Sequence, residues 1–211
     1  MKFFMPQFDR YVRDMFKKMG HSLVDSVDAC DFVVFTGGAD VTPSLYGEVN
    51  KYSYCDALRD EYEVQVFKAA KDLGKKMVGI CRGSQFLTVM AGGKLWQDVN
   101  NHATGLDHVI YTTKEGEWLT VSSTHHQMMR PEGVPHELLG WARLSNSKRA
   151  AVDSEQAEPN RFLVDPEAVY YPDINAVACQ FHPEYFAINH QCPKYFFRIL
   201  KEKLEIVGNE A

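Results

Sequence analysis

No stretch of this sequence approaches the ~18 consecutive apolar residues that a membrane-spanning helix requires, so no membrane role is expected. Positive charge is in deficit. The 23 Lys and Arg face 28 Asp and Glu, and a formal net charge of -5 leaves no electrostatic footprint for nucleic acid. Cysteine is scarce, with five residues at irregular spacing, and that odd number makes no disulfide framework. A reducing, cytoplasmic setting with at least one free thiol is the expectation. The opening Met1-Lys2-Phe3-Phe4-Met5-Pro6 is too short and too quickly polar for a signal peptide. Repeats, low-complexity tracts and linker-like segments are also missing, so residues 1–211 read as a single domain.

What is present suits an ordinary globular protein: 45% hydrophobic and 24% charged residues, in a chain long enough to bury a substantial core. Lys2–Met5, His21–Val24, Asp31–Phe35 and Met77–Ile80 read as strands. Val12, Met15, Phe16 and Met19 recur at helical spacing before Gly20. A second helix is expected over Asp60–Leu73, with Tyr62, Val66, Ala69, Ala70 and Leu73 as its apolar stripe. Ser84–Ala91 is apolar on most sides and reads as a buried helix, and Pro193–Glu205 reads as the last one. Between them, Val109–Thr112, Leu119–Ser122, Trp141–Leu144, Ala168–Tyr171 and Ala176–Phe181 look like short strands, while Ala39–Leu58 looks like loop. Strands alternating with helices imply an α/β fold, a mainly parallel sheet covered on both faces.

The segment Met77-Val78-Gly79-Ile80-Cys81-Arg82-Gly83-Ser84-Gln85 runs from apolar strand through Gly-x-Cys-x-Gly into helix. This is the cysteine counterpart of the serine nucleophile elbow. Glycines two positions either side permit a tight turn that projects Cys81 from the helix N-terminus, where the dipole and a nearby base favour thiolate. The Arg82 backbone N–H is then placed to stabilise an oxyanion. The alternative is a structural cysteine buried in a turn.

A thiol nucleophile needs a base, and the base needs an orienting group. Ala176-Val177-Ala178-Cys179-Gln180-Phe181-His182-Pro183-Glu184 offers both. Pro183 favours an extended His182, and in an extended chain residues i and i+2 share a side, which places His182 and Glu184 together. The alternative is a solvated loop after a strand. Cys179 reads as core, and Cys30, Cys55 and Cys192 have no comparable setting.

Together, Gly79-Ile80-Cys81-Arg82-Gly83-Ser84-Gln85 and Phe181-His182-Pro183-Glu184 resemble the class I (triad) glutamine amidotransferases. Further blocks resemble the γ-glutamyl hydrolase branch, which includes γ-glutamyl-γ-aminobutyrate hydrolases. They are Gly37-Gly38-Ala39-Asp40-Val41-x-Pro43-x-x-Tyr46-Gly47-Glu48, Arg59-Asp60, Gly92-Gly93-Lys94-Leu95-x-Gln97-Asp98 and Ser123-x-His125-His126-Gln127, in family order over about residues 30–190. The resemblance implies a flavodoxin-like three-layer sandwich with the Cys81 elbow at the sheet's carboxyl edge, plus a small antiparallel strand region. It implies hydrolysis of a γ-glutamyl amide through a thioester on Cys81, with His182 as acid and base and Glu184 as its orienter. It also implies that Gly38 adds an oxyanion N–H to that of Arg82, and that Gly37, Gln85, Ser123, His125 and His126 bind the glutamyl group. Read without it, Gly37-Gly38 is a tight turn, Gln85 a helix-surface residue and His125-His126 a solvated pair.

No cofactor and no metal are expected, because neither the chemistry nor the ligand spacing calls for one. The expected partner is a small γ-glutamyl substrate. A second reading is a glutaminase subunit delivering ammonia to a separate synthetase or ligase, and a third is a silent binding module of the same fold. A homo-oligomer is compatible with all three. The N-terminal strand and first loop are abbreviated relative to the family, and residues 148–165 match none of its blocks.

Overall fold

The computed structural model describes residues 1–142, 149–151, 154–157 and 164–209. Half of the unassigned stretch 148–165 therefore lies outside the described residues, as do Arg143 and Leu144 of the expected strand before it. In chain order the elements are β1 (Lys2–Phe4), α1 (Arg10–Lys18), β2 (Ser22–Val24), β3 (Phe32–Phe35), α2 (Ala57–Asp72), β4 (Lys76–Ile80), α3 (Arg82–Met90), β5 (Lys94–Trp96), β6 (Asp98–Val99), β7 (His108–Thr112), β8 (Trp118–Val121), β9 (Met128–Arg130), β10 (Glu137–Ala142), β11 (Arg149–Ala151), β12 (Ser154–Ala157), β13 (Asp165–Tyr171), β14 (Ala176–Cys179) and α4 (Gln191–Leu204).

Nine strands form one sheet in the order β2-β1-β3-β4-β14-β13-β10-β7-β8. The first five are parallel and reproduce the 2-1-3-4-5 order of flavodoxin-like folds. From β14 outward the pairing turns antiparallel, and four more strands extend the same sheet. The parallel strands are nearly continuous apolar runs because both their faces are covered. Alternation then sorts each strand between the layers. Phe32, Val34, Val78, Ile80, Val177 and Cys179 pack beneath α1 and α4, whereas Val33, Phe35, Met77, Ala176 and Ala178 pack beneath α2 and α3.

Local signals explain the helix ends. Asp9 and Asp56 cap α1 and α2 by accepting from the N–H groups of Val12 and Arg59, and Gly20 and Gly74 follow the ends at φ 80° and 62°. The buried face of α2 differs from the expected stripe. Tyr62 and Leu73 are about half exposed, and the inward residues are Asp60, Glu63, Val66, Phe67 and Ala70. An apolar pattern could not reveal a face that buries two acids, which is stable here because two arginines meet them.

Candidate active site

Strand β4 delivers Cys81 to the carboxyl edge of the sheet, where the chain breaks into α3. Cys81 adopts φ 51°, ψ -110°, a region that costs a non-glycine residue ~1–3 kcal/mol. Surrounding contacts over-determine it. Its N–H donates to the Cys179 carbonyl at 2.8 Å, and its carbonyl accepts from the Ser84 N–H at 2.9 Å and the Ser84 hydroxyl at 2.6 Å. The two elbow glycines are required sterically. A Cβ on Gly79 would stand 2.5 Å from the Gly83 carbonyl oxygen, and one on Gly83 would run into that of Phe35.

Strand β14 delivers His182 to the same edge. His182 is extended, at φ -104°, ψ 93°, as the following proline dictates, and its N–H donates to Ser122 Oγ at 2.8 Å. The extended geometry stops there, since Pro183–Tyr185 forms a 3-10 turn. Glu184 therefore meets the ring by chain reversal rather than by strand alternation, with Nδ1 and Oε1 2.6 Å apart. Tyr185 stacks on the imidazole at 4.3 Å between centroids, fixing the ring plane.

Burial alone would lower the His182 pKa. The hydrogen bonds and charges of Cys81 and Glu184 outweigh it and raise the value from 6.5 to about 10. Because the folded value lies above the unfolded one, His182 contributes stability fully below pH 6.5 and loses it as pH rises toward 10. Thermal melts across that interval should show this decline. The slope should shrink in Cys81→Ala, which removes two of the raising interactions; an unchanged slope would sever the link between the two residues.

The β3–α2 side closes the constellation. A Cβ on Gly37 would stand 2.8 Å from His182 Cε1 and 3.7 Å from Cys81 Cβ, so this turn lies directly against both. Arg59, on α2, donates from Nη1 to the Gly37 carbonyl and from Nη2 to the Thr36 carbonyl, each at 2.9 Å. The peptide is trans, so turning the Gly37 carbonyl onto Arg59 turns the Gly38 N–H away from it. Gly38, at φ 140°, accepts this conformation, and a Cβ there would collide with Arg59 Nη1. The Arg82 N–H is the first of α3, where helices have no internal acceptor.

Behind the elbow lies an ion network whose pairing no motif specified. The Arg82 side chain pairs with Asp60 and Glu63, and Glu63 also accepts from Arg59 Nε at 2.9 Å. Asp60, Glu63 and Arg82 are each at most 3% exposed. Burial, then the neighbouring Arg59 charge, bring the Arg82 pKa down to about 10, and it stays protonated at neutral pH. The signal was present in part: Arg59-Asp60 at a helix start, with Glu63 four residues after Arg59, is an i, i+4 ion pair.

The remaining anticipated residues make protein contacts. Gln85 donates from Nε2 to the Gln127 carbonyl at 2.9 Å, and His125 Nδ1 meets the same carbonyl at 2.9 Å. Ser123 Oγ donates to the His102 carbonyl at 2.6 Å. His126, half-buried, lies between Asp40 and Asp98, and its pKa is raised, chiefly by its hydrogen bond to Asp40. Gln85, Ser123 and His125 are buried, so they shape the segment 123–127 rather than lie solvated on a surface.

The peptidase C26 family model matches residues 15–184, most of the chain. The chain belongs to the peptidase C26 family. This family is class I glutamine amidotransferase-like, and the relatives agree. The glutamine amidotransferase-like protein YvdE of Lactococcus lactis subsp. lactis is 28% identical over 202 aligned residues, which cover 81% of this chain and 78% of that protein. Protein NtpR of Enterococcus hirae is 27% identical over 169, covering 75% and 68%. Among solved structures, a glutamine amidotransferase of Thermotoga maritima aligns with TM-score 0.61 at 16% identity, over 97% of this chain and 84% of that one. A protein of Thermoplasma acidophilum described as a GMP synthase subunit gives TM-score 0.61 at 16% identity, over 98% and 96%. These structural likenesses establish the shared fold. No helix among the described residues is long and apolar enough to cross a membrane.

Proposed function

We propose that the protein hydrolyses γ-glutamyl amides through a γ-glutamyl thioester on Cys81. The observation that carries this reading is the strained Cys81 elbow held against an imidazole that Glu184 orients and Gly37 abuts. In the proposed cycle the Cys81 sulfur attacks the γ-carbonyl carbon, and the N–H groups of Gly38 and Arg82 hold the resulting oxyanion. Protonated His182 gives its proton to the leaving nitrogen as the C–N bond breaks. It then takes a proton from water as water attacks the thioester and the C–S bond breaks, which releases glutamate and restores the thiolate–imidazolium pair. Gln85, Ser123 and His125 act by fixing the backbone of 123–127 for the glutamyl group, and His126 contributes a half-buried side chain beside it.

A panel of γ-glutamyl amides, peptides and amines, including glutamine, tests this with the protein alone. Release of glutamate from at least one member, and stoichiometric labelling of Cys81 by an electrophilic glutamine analogue, are expected. Absence of both would end the reading. A glutaminase subunit of a larger synthase is the second reading, favoured by the fold shared with a protein described as a GMP synthase subunit. Glutamine turnover that stays near zero until an ATP-dependent ligase is added would select it.

A further inference from the structure

Away from Cys81, a second cluster of polar side chains is buried where the loop after β6, the start of β7 and strand β13 meet. Glu167 Oε1 lies 3.2 Å from His108 Nε2, 3.5 Å from His102 Nδ1 and 3.7 Å from His125 Nε2. The Glu167 side chain is fully buried, and those of His102, His125 and His108 are 3%, 1% and 20% exposed. His108 Nε2 is within ion-pair distance of Glu167 Oε1, but none of these inward atoms, nor Glu167 Oε2, has a partner at full hydrogen-bond geometry among the described residues. Buried polar atoms are seldom left this way, and here five converge.

The outer ring nitrogens show why neutral His102 and His125 cannot themselves resolve the cluster. His102 Nε2 lies 3.0 Å from the Asp165 carboxylate, and His125 Nδ1 lies 2.9 Å from the Gln127 carbonyl. Both partners are acceptors, so those outer nitrogens carry the hydrogens. The inner nitrogens, His102 Nδ1 and His125 Nε2, then present lone pairs toward a carboxylate. Two lone pairs and a carboxylate oxygen facing each other call for a cation among them, either a protonated His108 or a metal ion. A histidine whose far nitrogen is held by a carboxylate is also the usual outer arrangement of a metal ligand.

We propose that His102, His108 and Glu167 form a three-ligand site for a zinc-type divalent ion, with His125 Nε2 the nearest atom for a fourth bond. The three ligand atoms lie within 4.8 Å of one another. Two imidazoles and a carboxylate suit zinc in donor type. The partial exposure of His108 marks the side from which the ion enters. Such an ion would brace the wall beside the nucleophile, because the His102 carbonyl also accepts from Ser123 Oγ and from the His125 N–H at 3.2 Å. Spacing along the chain did not suggest the set, since its members sit at 102, 108 and 167 in separate elements.

The test uses the full chain carrying Cys81→Ala, which removes the active-site thiol as a competing ligand and makes the result independent of hydrolysis. After chelator treatment and dialysis, titration with zinc chloride should give about one equivalent bound per chain and a rise in Tm. His108→Asn and Glu167→Gln should each weaken binding by at least ~100-fold and abolish the Tm response, while the exposed His136→Asn should do neither. His108 is the more exposed ligand, so its variant decides the matter if Glu167→Gln fails to fold. No uptake by the parent, or uptake unchanged by His108→Asn, would overturn the proposal and leave a protonated His108 beside Glu167 as the explanation.

Discussion

Replacing Cys81 by alanine should lower turnover of any γ-glutamyl amide the protein accepts by at least ~10⁴-fold, with the fold retained. The nucleophile and its base act as a unit, and no second thiol can substitute. Cys179 and Cys192 are buried, and burial drives both of their pKa values upward. Cys81→Ser should fare little better, because a serine hydroxyl ionises far less readily than a thiol and the elbow acts through a thiolate. Stability should respond differently. Alanine keeps the strained φ of 51°, whereas Cys81→Gly relieves the strain and should be up to ~1 kcal/mol more stable than Cys81→Ala. Kinetic assays alongside thermal melts of the three variants check both halves. Near-normal turnover by the alanine variant would remove the nucleophile from the proposed mechanism.

The largest stability effect is expected at Arg82→Ala. Its guanidinium meets both Asp60 and Glu63 behind the elbow, and removing it leaves two carboxylates buried with incomplete compensation. Breaking a buried pair in this way costs ~3–5 kcal/mol, or roughly 10 °C in Tm for a chain of this size. The double variant Arg82→Met, Glu63→Met should recover part of that loss, because apolar contacts replace ions whose desolvation is no longer needed. Turnover measured well below Tm should fall much less than in Cys81→Ala, since the oxyanion donor proposed at this position is a backbone N–H that every side chain retains. A denaturation series in which Arg82→Ala melts with wild type would show that the network contributes nothing net.

These two predictions divide along what can be read from one dimension. The Cys81 elbow was legible because its requirements are local: Gly79 and Gly83 leave room for backbone carbonyls of the turn and of β3. His182 was legible for a similar reason, as a histidine ending an apolar strand before a proline. Asp60 and Glu63 were not. Acids on a helix face read as solvent-facing, and only the arrival of Arg82 from the next βα unit and Arg59 from one turn earlier makes them interior. The Glu184 geometry was anticipated for the wrong reason, since a 3-10 turn rather than an extended chain returns the carboxylate to Nδ1. Gln85, Ser123 and His125 were recognised through motif blocks, yet their contacts are internal hydrogen bonds that no motif specifies.

The sequence by itself determined the α/β alternation, the strand-to-helix corner at Cys81 and the extended histidine at the end of β14, because hydrophobic period, glycine placement and proline act over a few residues. Tertiary structure alone decided which charges are interior, how Arg59 turns the Gly37–Gly38 peptide, and that His102, His108, His125 and Glu167 converge on one point. Those outcomes depend on groups brought together from distant strands and helices, where burial, rather than residue type, sets what a carboxylate or an imidazole can do.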